Sequence, residues 1–350
     1  MGIRALAGAA LIAALGVHAQ ADPLRIATYS PDLSRDGPGL LLRDLGRRDA
    51  QVAAVTRVIA ETRPDILLLT DFDWDFDGEA LDAFAALLAQ AGLDYPHRFA
   101  ARPNSGMATG LDLNADGRLG TADDAQGFGA FTGQGGMAIL SRHPIGPVTD
   151  YTEFLWRDLP GNLMPPLPEA VAAIRRLSST AHWDAVITVA DRPLHLLAMS
   201  ATPPVFDGPE DLNGRRNHDE LAFWLHHLPE APFVLAGNLN LDPEDSEGRP
   251  QALARLMAQV ADPLPRSPGG AAAKGGVNDG HKGDPGLDSG DWPNDQPPGN
   301  LRVDYVLPSR GLKLLGAGVV WPAEGPLAQA ALTASAHRLV WVDLDWPPGP

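Results

Sequence analysis

The chain has 350 residues, 27 Lys plus Arg against 44 Asp plus Glu, a formal net charge of −17 and no Cys. With 44% apolar and 20% charged residues, 37 Gly and 33 Pro, it has the composition of a loop-rich globular protein, not of a disordered or collagen-like chain. So acidic a surface disfavours long nucleic acids, and the lack of Cys excludes disulfides, thiolate zinc sites, iron–sulfur clusters and cysteine nucleophiles.

Residues 1–21 read as an export signal: Arg4 supplies the positive end, Ala5 to Val17 the apolar run, and Ala19-Gln20-Ala21 the small-x-small cleavage pattern before Asp22. No later stretch reaches the roughly 18 apolar residues needed to span a bilayer. The expectation is an exported protein, periplasmic or secreted, with one domain over residues 22–350.

The first predicted strand is Leu24 to Tyr29. A helix follows over Asp49 to Thr62, with Val52, Val55, Val58 and Ile59 at helical spacing and Pro64 as its stop. Asp65 to Thr70 is a buried strand and Glu79 to Ala91 a second amphipathic helix. Further strands are predicted at Met137–Leu140, Ala185–Val189 and Leu194–Met199. A short helix over Glu220 to Leu228 leads to strands at Phe233–Ala236, Val303–Leu307 and Leu339–Leu344. The stretch from Asp262 to Asn300 has no periodicity and is predicted to be a long surface loop. Strands with intervening helices and no internal repeat indicate a layered α/β fold with a mixed sheet. The unusual polar residues follow strands: Asp71, Ser200-Ala201-Thr202 and Gly237-Asn238-Leu239-Asn240. Strand ends are where such folds gather ligand sites.

Several ordered landmarks carry a family resemblance. They are Arg25-Ile26-Ala27-Thr28-Tyr29, Pro64-Asp65-Ile66-Leu67-Leu68-Leu69, Gly136-Met137-Ala138-Ile139-Leu140-Ser141-Arg142 and Gly237-Asn238-Leu239-Asn240-Leu241-Asp242-Pro243. Arg302-Val303-Asp304-Tyr305-Val306-Leu307 and Ser335-Ala336-His337-Arg338 complete the set. In this order they resemble the endonuclease/exonuclease/phosphatase superfamily from Leu24 to Leu344. The resemblance implies a four-layer α/β sandwich, two mixed β-sheets flanked by helices. It also implies attack of water on a phosphate ester, assisted by Mg²⁺ or Mn²⁺.

On the family pattern, the metal-holding Asn position is Ser30 and the Glu position is Asp71. The central His position is Ser200, the water-activating Asp of the Gly-Asp-x-Asn turn is Asn238, and the Asp before the terminal His is Ala336. Asn240, Asp304 and His337 match. The resemblance assigns Asp71 to the metal, Asn240 and His337 to the phosphate, and Asp304 to orienting His337. Asn238 cannot act as a base near neutral pH, and Ala336 offers no side-chain oxygen. Hydrolysis is therefore expected to be weakened or lost. Two alternatives stand beside this: a site rebuilt from Asp71, Asp73, Asp75 and Asp242, and a non-catalytic protein that binds a small phosphoester, another anionic ligand or a protein partner in the retained cleft.

Asp112-Leu113-Asn114-Ala115-Asp116-Gly117-Arg118 to Asp123 has the EF-hand-type spacing. Asp112, Asn114, Asp116, the Arg118 carbonyl and Asp123 would hold a structural Ca²⁺. The alternative is a hydrated turn rich in Asp and Asn. The Thr202-Pro203-Pro204 turn and the Arg215-Arg216-Asn217-His218-Asp219-Glu220 run resemble a secreted subgroup of the superfamily. Arg215, Arg216 and His218 are candidates for gripping an anionic substrate, and His182 for lining the cleft; helix capping, surface ion pairing and packing are the alternatives.

Overall fold

The computed structural model describes residues 23–346. The expected export segment lies outside the described residues. In chain order the strands are β1 (Leu24–Tyr29), β2 (Ile66–Phe72), β3 (His97–Phe99), β4 (Gly136–Ser141), β5 (Ile145–Asp150), β6 (His182–Val189), β7 (Arg192–Ser200), β8 (Phe233–Asn238), β9 (Asp304–Pro308), β10 (Leu314–Val319) and β11 (Val340–Leu344). The helices are α1 (Leu40–Arg47), α2 (Ala50–Thr62), α3 (Glu79–Gln90), α4 (Glu169–Ala172), α5 (Leu212–Leu225), α6 (Gln251–Met257), α7 (Pro268–Ala272) and α8 (Pro326–Ala334).

The strands form a six-stranded sheet, β10-β11-β1-β2-β4-β3, and a five-stranded sheet, β5-β6-β7-β8-β9. Both are mixed, because β1–β2 and β7–β8 pair in parallel while their neighbours are antiparallel. Side-chain alternation along each strand builds the layers. Ile26, Leu68, Ile139, Leu196, Val234 and Val306 face the partner sheet. Their neighbours Ala27, Leu67, Leu69 and Leu140 pack outward against Val55, Ile59, Phe84, Leu88 and Ala331 of α2, α3 and α8. On the other side Leu197, Met199, Leu235 and Leu307 pack against Leu221, Trp224, Leu253 and Leu256 of α5 and α6. The result is the four-layer α/β sandwich that the resemblance implied.

The predicted strands and the helices α2 and α3 are in place. Eight segments that the sequence pattern does not mark also form elements: the strands β3, β5 and β10, and the helices α1, α4, α6, α7 and α8. The helix expected at Glu220 begins eight residues earlier, at Leu212. Its first turns are polar yet buried, so they show no apolar periodicity. The long loop is not all surface: Ser289 is fully buried, and Gly290 forms bridges with Leu301 and His337.

Strand direction fixes where the loops gather. The carboxyl ends of β1 and β2 lie beside the amino ends of β4 and β11, and those of β7 and β8 beside the amino end of β9. A hydrogen bond between His337 and Asp304 joins the two rims. Gly237 lets β8 lie this close to β7: its φ is 141°, and a Cβ there would sit 1.8 Å from the Met199 carbonyl oxygen.

Candidate active site

Ser200, Asn238 and Asp304 stand side by side at the ends of three neighbouring strands. The Asp304 carboxylate is buried, and its Oδ2 accepts hydrogen bonds from Ser289 Oγ at 2.9 Å and His337 Nδ1 at 2.8 Å. Ser289 Oγ also accepts the Val303 and Asp304 N–H groups at 3.1 and 2.9 Å, so strand β9 and the long loop share one hydroxyl. Trp292 meets the His337 ring edge-on at 5.2 Å. Burial opposes a charge on His337, but Asp304, helped by Asp32 and Asp71, outweighs it and raises the imidazole pKa above its ordinary value.

The residue beside Asp304 is the neutral Asn238. Its Oδ1 accepts the Asn240 N–H at 2.9 Å, and Asn240 Nδ2 donates to the Ala201 carbonyl at 2.7 Å. Asn240 has a φ of 51°, a conformation Asn tolerates better than most residues. The two Asn side chains thus fix the turn after β8. Ala336, just before His337, contributes backbone groups alone: its N–H donates to Asp32 Oδ2 at 3.0 Å and its carbonyl accepts the Asp291 N–H at 2.8 Å.

Asp71 sits where the β2–β4 pairing shifts register, with a φ of 50°. Such bulges re-aim a side chain at a sheet rim. Gly135 makes room for it: a Cβ there would lie 2.8 Å from Asp71 Oδ1. Burial, and then the neighbouring Asp32, push the Asp71 pKa up. Asp32 was not anticipated from the sequence, although it lies only two residues beyond Ser30. Ser30 contributes its backbone carbonyl, which accepts Ser335 Oγ–H at 2.7 Å.

The other acids considered for a rebuilt site are engaged elsewhere. Asp73 accepts the Arg35 and Gly135 N–H groups, Asp75 caps α3 through Glu79 and Ala80, and Asp242 accepts the Glu244, Asp245 and Arg302 N–H groups. Among the described residues no three His, Asp or Glu side chains come close enough together to hold a metal ion. Mg²⁺ is commonly held by one or two carboxylates with water completing its shell, so Asp71 and the neighbouring Asp32 are the residues that would hold the divalent metal the resemblance implies, with a reduced donor set.

The polar run of α5 acts inside the protein. Arg216 is buried, and its guanidinium donates to the carbonyls of Gln126, Arg176, Leu177 and Ser178 at 2.7–3.1 Å. Asn217 Nδ2 donates to the Thr202 and Leu239 carbonyls at 2.8 and 2.9 Å, linking the loops after β7 and β8. Asp219 accepts Trp156 Nε1–H and the Leu163 N–H, and Glu220 accepts Ser179 Oγ–H and the Ser179 and Thr202 N–H groups. This corrects the expected grip on an anion. Arg215 donates to the carbonyls of Glu210 and Leu163, and His218 pairs with Asp219 at 2.8 Å. His182 is buried between Ser178 Oγ and the Glu220 carbonyl, and burial lowers its pKa to about 4, so it is neutral at pH 7 and packs instead of binding charge.

The 112–123 loop folds onto itself. Asp112 accepts the Asp116 and Gly117 N–H groups, Asn114 that of Asp116, and Asp116 that of Arg118. Asp123 is exposed, while Asp124, which the spacing did not single out, is buried and accepts the Leu113 and Thr121 N–H groups.

Asp73 gives a pH test of how the rim is held. Burial raises its pKa to about 6 against its hydrogen bonds to Gly135 and Arg35. An unfolded Asp titrates near about 3.9. The folded state therefore binds this proton more tightly, and the associated stability is present below about pH 4 and lost as pH rises through about 6. Urea unfolding of Asp73→Asn should show its stability improving relative to the native protein by about 1–3 kcal/mol between about pH 4 and 6.5. A constant difference would contradict it.

Residues 36–337 match the model of the Endonuclease/Exonuclease/phosphatase family. No curated protein matches the chain. Among solved structures, the chain is similar to an endonuclease/exonuclease/phosphatase from Beutenbergia cavernae, with 20% identity, a TM-score of 0.55, and coverage of 92% of this chain and 71% of that one. It is also similar to a family protein from Leptotrichia buccalis, with 13% identity, a TM-score of 0.53, and coverage of 92% and 100%. At such identities these likenesses show the shared fold. The family match spans most of the chain and carries the paired rims described above: the chain belongs to the endonuclease/exonuclease/phosphatase family, whose members are phosphoester hydrolases.

Proposed function

We propose that this is an exported family member that keeps a cleft for a small phosphoester or similar anion, while its metal-dependent hydrolysis is weakened or lost. One observation carries the reading. The strand end beside Asp304 presents the Asn238 amide, whose Oδ1 already accepts the Asn240 N–H. An amide cannot take a proton from attacking water at neutral pH, and losing a general base lowers a rate by about 10²–10⁴-fold. Asp304 orients His337 through Nδ1 and raises its proton affinity, and the imidazolium draws a phosphate oxygen toward it. In the limiting case, with no turnover left, the same cleft serves a non-catalytic protein that binds an anionic ligand or a partner. Export is supported by the composition of residues 1–21.

Turnover of a chromogenic phosphodiester in Mg²⁺ or Mn²⁺ tests the reading. The native protein should run at least about 10²-fold slower than an Asn238→Asp, Ala336→Asp double variant. Native turnover that His337→Ala abolishes, and that the double variant does not raise, would contradict it.

Calcium belongs to the same proposal on the spacing of oxygen groups in the 112–123 loop alone. Calorimetric titration with Ca²⁺ should give a saturable heat with a Kd near about 10⁻⁴–10⁻³ M, lost in Asp112→Ala. A flat titration of the native protein removes calcium from the account.

A further inference from the structure

A cavity of about 410 Å³ opens between the loop after β2, the first turns of α3 and the segment around β3. Its walls include Trp74, Phe76, Asp75, Asp77, Asp82 and Arg98. Trp74 and Phe76 meet at an interplanar angle of 82°, with ring centroids 6.4 Å apart, and so form two sides of a corner. The Trp74 main chain is fixed, since its backbone N–H donates to the Gly133 carbonyl at 2.8 Å and a Cβ on Gly133 would lie 2.4 Å from the Trp74 carbonyl oxygen. Phe76 is 88% exposed. A lone exposed Phe needs no explanation, but here the ring lines an open depression together with Trp74 and Asp77.

The charges around this corner are not equivalent. Asp75 accepts two N–H groups at the positive end of α3, and Asp82 pairs with Arg98 at 3.1 Å. Asp77 makes no hydrogen bond or ion pair among the described residues. One carboxylate is thus free beside two aromatic rings. An anion would be repelled by three acids against one Arg, and a neutral apolar guest would gain nothing from Asp77. A cation gains from both the ring faces and the carboxylate.

We propose that this corner binds a small quaternary ammonium ion, with Trp74 and Phe76 offering ring faces and Asp77 the counter-charge. Binding here does not depend on hydrolysis at the Asp304–His337 rim. Calorimetry or saturation-transfer NMR on the full chain, with tetramethylammonium as probe and tert-butanol as the neutral isostere, tests it at constant ionic strength. Tetramethylammonium should bind at least about tenfold tighter than tert-butanol. Phe76→Ala should weaken it by about 2- to 30-fold, and Asp77→Asn should weaken it as well. Both side chains are exposed, so circular dichroism should show both variants folded. No binding of the ammonium ion, equal binding of the two probes, or an affinity unmoved by both substitutions overturns the proposal.

Discussion

Helix α5 carries four polar side chains into the interior, where together they tie several loops to one another. Arg216 collects four carbonyls from the segments around residues 126 and 176–178, Asn217 joins the loops after β7 and β8, Asp219 holds Trp156 and Leu163, and Glu220 holds Ser179 and Thr202. Buried polar groups are costly unless satisfied, so these loops and the helix constrain one another. Ser200, Asn238 and Asp304 stand in register because the strands pair that way. The loops beyond them are held because α5 meets their backbone groups.

Within that frame two positions differ from the pattern that the resemblance implies. A carboxylate expected beside Asp304 is an amide, and one expected before His337 is a methyl group. The acids that remain nearby are largely committed to backbone N–H groups, as Asp73 and Asp242 show. What survives intact is the imidazole and its orienting carboxylate, locked by Ser289 from the long loop. In a protein of net charge −17, the Asp304 carboxylate, with Asp32 and Asp71 nearby, raises the proton affinity of His337 against the opposing effect of burial.

Much of this was legible in the sequence, for a physical reason. Strands covered on both faces are nearly continuous apolar runs, so β1, β2, β4, β7 and β8 declare themselves. Partly exposed strands such as β5 and β10 carry no such run. The order of landmarks placed Asn238, Asn240, Asp304 and His337 together at one end, and they are together. The errors share a cause. Arg216 and His182 read as exposed or cleft-lining groups because charged and polar residues usually are; only the three-dimensional supply of carbonyls explains their burial. Asp32 and Ser289 were missed because each reaches the site from a loop, where no periodicity marks a residue's role.

On the proposed function, the protein retains anion binding through His337 without the base that would activate water. Phosphorus NMR of inorganic phosphate titrated into the native protein, with metal chelated, reads this directly. The account predicts saturable line broadening that weakens at least about tenfold in His337→Ala, the loss expected for one charge-assisted contact. Phosphate binding that is absent, or that is unchanged when His337 is removed, would contradict it.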